Sequence, residues 1–243
     1  MDHSLLGKLS LRKKNDSYLL DKEITYLLTF LRSNSKHLKL VDPIEFLASF
    51  AFYGTYLAED EHTLERFYRL KIPAGTPKRL SYIHYQFFKA ILPFTGRAFN
   101  RDKNHDKTRG CLVERLALLV LKCEEGVSGD CSVILLEAGR PYGPSIGGSH
   151  EELDLVTYPE RNEMAVGECK YDGSWFYKKP DLVAWYEDAA NRIRVEGLNE
   201  VHTFAICGAN ADVMEKHLRS MPLRRRWWIL SLSNYKVQIK IDP

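Results

Sequence analysis

The spacing of apolar residues along this chain predicts helices first and a mixed set of strands and helices afterwards. From Asp21, the residues Ile24, Leu27, Leu28 and Leu31 recur at helical spacing. Asp42-Pro43 reads as the cap and first residue of a second helix through Phe46, Leu47, Phe50 and Phe52. A third helix runs from about Glu59 to Leu70, and a fourth from Tyr82 to Leu92, ended near Pro93. Between these two, the prolines and glycine of KIPAGTPKRL (71–80) mark a loop. Residues 1–17 are polar and basic and read as a loosely ordered lead-in.

Past residue 107 the pattern alternates. RGCLVERLALLVLKC is a leucine-rich helix from about Thr108 to Cys123, and CSVILLE (131–137) is a strand by its branched residues. A long turn, GRPYGPSIGGSH (139–150), leads to two more strands, ELDLVTY and MAVGECK, joined by a turn at Pro159 to Asn162. A helix starting at Pro180 or Asp181 carries Leu182, Trp185, Ala189 and Ile193 on one face and stops at Gly197. VHTFAIC (201–207) follows that crossover and should pair in parallel. A short helix, Asp212 to Arg219, and one or two last strands complete the order. The expectation is an α/β fold, a mixed central β-sheet flanked by helices, with an α-helical N-terminal region. The expected division is 1–106 for the helical region, a possible DNA-binding or dimerisation module, and 107–243 for the α/β domain.

The candidate chemistry lies in the two joined strands. Side chains on a strand repeat with period two, so Glu168 and Lys170 face one way and Cys169 the other. Closing the hairpin brings Asp154 beside Glu168. Two carboxylates and a lysine on one sheet face suit a hard divalent cation, since close carboxylates repel.

Composition narrows the class without choosing a function. The chain has 243 residues, 44% hydrophobic and 28% charged, with a net charge of +3, which permits a nucleic-acid partner but does not demand one. The five cysteines, at 111, 123, 131, 169 and 207, form no CxxC pair and read as reduced thiols of a cytoplasmic protein. No apolar run approaches the length of a membrane span. Gly147-Gly148 lacks the GK[ST] ending of a phosphate-binding loop, so no nucleotide cofactor is expected.

The order helix–β–β–β–helix–β, with Asp154 on the second strand and Glu168-Cys169-Lys170 on the third, resembles the PD-(D/E)XK nuclease superfamily, whose core is the restriction-endonuclease-like fold. The phrasing of RGCLVERL, EELDLV and VGECKY is closest to its restriction-endonuclease-like and archaeal ATPase-associated branches, over about 107–232. Leu153, not proline, precedes Asp154. An E-x-K triplet alone occurs about once by chance in a chain of this length and charge. The weight rests on its place at the end of an apolar strand, after an Asp in a similar strand and before a helix.

The resemblance implies a Mg²⁺- or Mn²⁺-dependent endonuclease that acts on DNA in preference to RNA. Asp154, Glu168 and the carbonyl of Cys169 would ligate the metal, and Lys170 would orient the water or stabilise developing charge. Glu114, matching the first-helix glutamate of many members, would hold a second metal or its water. It could instead be a helix-surface residue paired with Arg115 or Lys122.

Other basic residues carry two readings each. Lys178 and Lys179, after the aromatic run 175–177, grip a nucleic-acid backbone or cap a solvated loop. Arg224 and Arg225 clamp phosphate or form a basic strand entry beside two indoles. His150 approaches the metal or is an ordinary loop histidine. Lys78, Arg79, Arg97 and Arg101 make the helical region a DNA-reading head, or that region is a cap or dimer surface. The rival overall readings are a non-catalytic nucleic-acid-binding or assembly subunit, and a nuclease active only with a partner protein or as a homodimer.

Overall fold

The strand-like runs assemble into one mixed sheet. The computed structural model describes residues 2–4, 8–14, 21–34, 74–91, 93, 105–125, 128–143, 145–146, 149–150, 152–158, 162–178, 180–232 and 238–242. Its elements in chain order are β1 (Asp2–Ser4), β2 (Leu9–Lys13), α1 (Asp21–Asn34), α2 (Lys78–Ile91), α3 (His105–Glu125), β3 (Gly129–Glu137), β4 (Arg140–Pro141), β5 (Ser145–Ile146), β6 (Ser149–His150), β7 (Leu153–Thr157), β8 (Glu163–Asp172), α4 (Pro180–Val195), β9 (Glu200–Ala209), α5 (Ala211–Arg219), β10 (Trp227–Ser231) and β11 (Gln238–Ile241). A 3₁₀ turn, Gly173–Lys178, joins β8 to α4.

The sheet order is β1-β2-β3-β7-β8-β9-β10-β11, with β4 paired to β3. Pairing is antiparallel from β1 to β8, parallel for β8-β9 and β9-β10, and antiparallel again for β10-β11. The parallel steps are those with helical crossovers, α4 and α5, as the chain geometry requires. The expected mixed α/β sheet flanked by helices is therefore present. The expected helices at Asp42-Pro43 and from Glu59 to Leu70 lie outside the described residues.

The N-terminal residues differ from a loose lead-in. Leu9 and Leu11 alternate with polar neighbours, and β2 pairs along its length with β3, from Leu9 opposite Glu137 to Lys13 opposite Val133. Both leucines are 1% exposed. Burying each side chain is worth roughly 1.5–3 kcal/mol, enough to hold a five-residue strand in the sheet between β1 and β3.

Two apolar layers cover the two sheet faces. On one, α3 supplies Leu112, Val113, Leu116 and Ala117 against Leu155, Ala165, Cys169, Phe204 and Ile206, while α1 and α2 add Ile24, Leu27, Phe87 and Phe88 to the same cluster. On the other, α4 presents Val183, Tyr186, Ala189 and Ile193 to Val133, Leu153, Val166 and Ala205, with Met214 and Leu218 of α5 beside them. Among the described residues no helix is long and apolar enough to cross a membrane. Cys111, Cys131, Cys169 and Cys207 are buried and take part in no disulfide.

Candidate active site

The alternation of β3 and β7 breaks at one point, and the candidate residues gather there. Residues two apart on a strand share a face. Yet Cys131 lies in the field of Glu114, Cys111 and Arg115 on α3, while Val133 belongs to the opposite layer. On β7, Leu153 and Leu155 likewise fall in opposite layers. The residues between are Ser132, at φ +53°, and Asp154. A left-handed conformation costs a non-glycine residue about 1–2 kcal/mol, so it persists only where its surroundings enforce it. The pairs Cys131–Leu155 and Val133–Leu153 set Ser132 opposite Asp154. The pair Leu155–Gly167, continued by one step, sets Asp154 opposite Glu168.

Four side chains converge at this break. The Asp154 carboxylate accepts the Cys169 N–H at 2.9 Å. The Lys170 ammonium donates to Glu168 Oε1 and to the Cys169 carbonyl at 3.2 Å, and stands 3.6 Å from Asp154 Oδ2. Glu114, reaching up from α3, is 8% exposed and accepts the Ser132 hydroxyl at 2.8 Å. Its burial separates it from a helix-surface glutamate. The expected facing also holds: Glu168 and Lys170 meet on one side of β8, while Cys169 packs into the α3 layer.

The electrostatics follow from crowding acids in an apolar interior. Burial first, then the neighbouring Asp154 charge, push Glu168 up to about 8, against the opposing pull of Lys170. Glu114 is raised well above the usual carboxylate range by burial and then by Asp154, with the Ser132 hydrogen bond working the other way. Burial works to lower Lys170, but Glu168 and Asp154 outweigh it and hold the ammonium protonated beyond its ordinary range.

This donor set fits a hard divalent cation. Asp154, Glu168 and the Cys169 carbonyl, the three groups expected to hold a metal, already point their oxygens at one positive centre, the Lys170 ammonium. Among the described residues no group of three or more His, Cys, Asp or Glu side chains is placed so that it could hold a metal ion.

Two further residues at the break escape a reading of the sequence. Ser132 holds Glu114, and nothing in CSVILLE marks it as left-handed. Tyr186 of α4 is fully buried; its hydroxyl accepts the Asp154 N–H at 3.0 Å and donates to the Gly167 carbonyl at 3.1 Å. It thereby fastens β7 to β8 beside the carboxylates. In the sequence it is indistinguishable from an apolar residue of an amphipathic helix. Beside it, Gly143 at φ +108° lies so close to the Trp185 indole that a side chain there would collide with Nε1.

The candidate nucleic-acid contacts are placed differently. Arg224 and Arg225 precede β10, at the opposite end of the sheet from Lys170. Parallel register pairs Trp227 with Thr203 and Thr203 with Val166, so Arg225 stands level with Met164, about 20 Å along the strand from Lys170. Their backbone N–H groups donate to Glu187, and Arg225 bonds Asn191 and the Val201 carbonyl. They stand at the entry to β10 beside Trp227, away from the carboxylates. Lys178 ends the 3₁₀ turn that leaves β8, but its side chain, Lys179 and the side chain of His150 lie outside the described residues.

No family model matches this sequence, so the nuclease-superfamily resemblance rests on its own motif residues, and no curated protein matches it. Among solved structures, the chain is similar to one described as "Structure of a Type III CRISPR defence DNA nuclease activated by cyclic oligoadenylate", at 14% identity and a TM-score of 0.29. The match covers 68% of this chain and 24% of that one. A likeness of that size transfers no function.

Proposed function

We propose that this chain hydrolyses phosphodiester bonds with the help of Mg²⁺ or Mn²⁺, acting on DNA in preference to RNA. The supporting observation is the convergence of Asp154, Glu168 and the Cys169 carbonyl on one positive centre, with Glu114 beneath them. Asp154, Glu168 and the Cys169 carbonyl would hold the metal, with Glu114 as an additional carboxylate from α3. When bound, such a metal supplies a water of lowered pKa and neutralises phosphate oxygens. Lys170 keeps its proton and so offers a donor that orients a water or stabilises charge developing on phosphate. Cys169 N–H and Tyr186 fix Asp154 from two sides, and the apolar layers exclude bulk water beneath the site. Cutting both strands of a duplex would call for two copies or a partner protein.

A second reading has its own observation. The Lys170 ammonium fills the point where a cation would sit. A chain held in that state is silent until a partner or ligand moves Lys170, or binds nucleic acid without cutting it.

The test is cleavage of supercoiled plasmid, single-stranded DNA and RNA in Mg²⁺, Mn²⁺ or EDTA, with Lys170→Ala alongside. The expected outcome is metal-dependent cutting of DNA that falls about 10²–10³-fold in the variant. No cutting by folded wild type under any condition sinks the unassisted nuclease and leaves the silent or binding reading. Cutting that survives Lys170→Ala would put the chemistry somewhere other than the Asp154–Glu168–Lys170 cluster.

A further inference from the structure

Helix α2 carries a second feature, in the α3 layer, on the face of the sheet away from Glu168 and Lys170. Its buried residues are His84, Phe87, Phe88, Ala90 and Ile91, which fix its inner face. Lys78, Tyr82, Tyr85 and Lys89 are exposed and recur at i, i+4, i+7 and i+11, so they form one outward stripe, about 16 Å long at 1.5 Å per residue. Tyr82 is 64% exposed and Tyr85 40%, unusual positions for large rings that have a core available. The Lys89 ammonium lies over the Tyr85 ring, 5.5 Å from its centroid. No aspartate or glutamate occurs in α2.

The neighbouring helix repeats the pairing. Lys22 and Tyr26 of α1 are exposed one turn apart, Tyr26 by 56%. Lys22, Tyr26 and Lys89 line a shared hollow of about 260 Å³, with Glu23 also in its wall.

We propose that this α1–α2 face binds single-stranded nucleic acid. Lysines at both ends of the stripe match phosphates, and the tyrosine faces between them match unpaired bases, which stack on aromatic rings without regard to sequence. A duplex offers phosphates but keeps its bases stacked on one another, so it would use the lysines alone. A protein partner fits less well, because protein interfaces are poor in lysine. The proposal shares only the class of partner with the cleavage reading and stands at a different place on the molecule.

The experiment is fluorescence anisotropy of labelled oligo-dT and oligo-rU 20-mers and a 20-base-pair duplex, in EDTA, with the full chain carrying Asp154→Asn. The expected result is single-strand binding that weakens roughly tenfold or more per ring in Tyr82→Ala/Tyr85→Ala and survives in Tyr82→Phe/Tyr85→Phe. Lys78→Gln/Lys89→Gln should lower the slope of log affinity against log salt by about 0.7 per lysine removed. The two oligonucleotides decide between DNA and RNA. The substituted tyrosines and lysines of α2 are all exposed, and a thermal melt unchanged from the Asp154→Asn parent confirms folding. The proposal falls if no 20-mer binds, if the alanine pair binds as tightly as its parent, or if the variants alter self-association while leaving oligonucleotide binding intact. Tyrosine-dependent binding without any cleavage by wild type would remove the nuclease reading alone; cleavage without such binding would remove this one alone.

Discussion

Glu187 and Glu168 are both buried glutamates on the α4 side of the sheet, 1% and 3% exposed, yet their surroundings are opposite in character. Glu187 is met by donors: the backbone N–H groups of Arg224 and Arg225, the Arg224 guanidinium and the Trp227 indole. Three of these donors meet Oε1 and one meets Oε2, and among the described residues no carboxylate is hydrogen-bonded beside it, which is how a buried charge becomes structural. Glu168 is paired with the Lys170 ammonium and faces Asp154, and its charge is also felt by the buried Glu114. That arrangement keeps acids together against their repulsion. The contrast teaches that burial alone does not mark a working site; the sign of what surrounds the buried charge does.

Removing each carboxylate should sharpen that contrast. Glu187→Ala leaves two backbone N–H groups and an indole without their acceptor, and urea unfolding should show a loss of about 3 kcal/mol. Any metal-induced change in melting should be untouched. Stability equal to wild type would mean the Glu187 donors find water at no cost, and the distinction would lose one side.

The next effect is pH dependence without metal. The folded pKa of Glu168 lies above its ordinary 4.5, so the native state binds more protons than the unfolded chain between that value and about 8. The stabilisation is therefore complete below the ordinary carboxylate range and is lost as pH rises through the raised value. In EDTA, denaturant unfolding at pH 5 and pH 8 should differ by on the order of 2 kcal/mol, with pH 8 the weaker. Asp154→Asn should flatten the difference. A stability that rises over that interval would contradict the crowded-carboxylate picture.

Tyr186→Phe is the smallest change. It removes one hydroxyl that joins the Asp154 N–H to the Gly167 carbonyl, and should cost about 1 kcal/mol in unfolding. Because it supports Asp154, divalent-metal affinity should also drop by roughly tenfold, as for other supports of a metal ligand. A stability loss with unchanged metal affinity would make Tyr186 a strand fastener only.

Much of the frame was legible because apolar period and length carry it. The runs around Leu155, Val166 and Ile206 gave strands, and the helix between the last two gave parallel pairing. Glu168 and Lys170 followed from period two alone. What was hidden depends on contacts distant in sequence. Leu9 and Leu11 alternate over too few residues, amid lysines, to announce a strand until β3 is there to pair. Ser132 adopts a left-handed conformation that glycine or asparagine would have signalled, and its reason, Glu114, lies on another element. The place of Arg224 and Arg225 was set by register, which their basic character does not reveal.

The most direct measurement is thermal melting of the wild type and Asp154→Asn at pH 8 over a Mn²⁺ titration, with Mg²⁺ as a second series. A divalent site built on Asp154 and Glu168 predicts a saturable rise in the wild-type melting temperature that is absent in Asp154→Asn. A wild-type melt indifferent to both metals, or a rise that persists in Asp154→Asn, would contradict it.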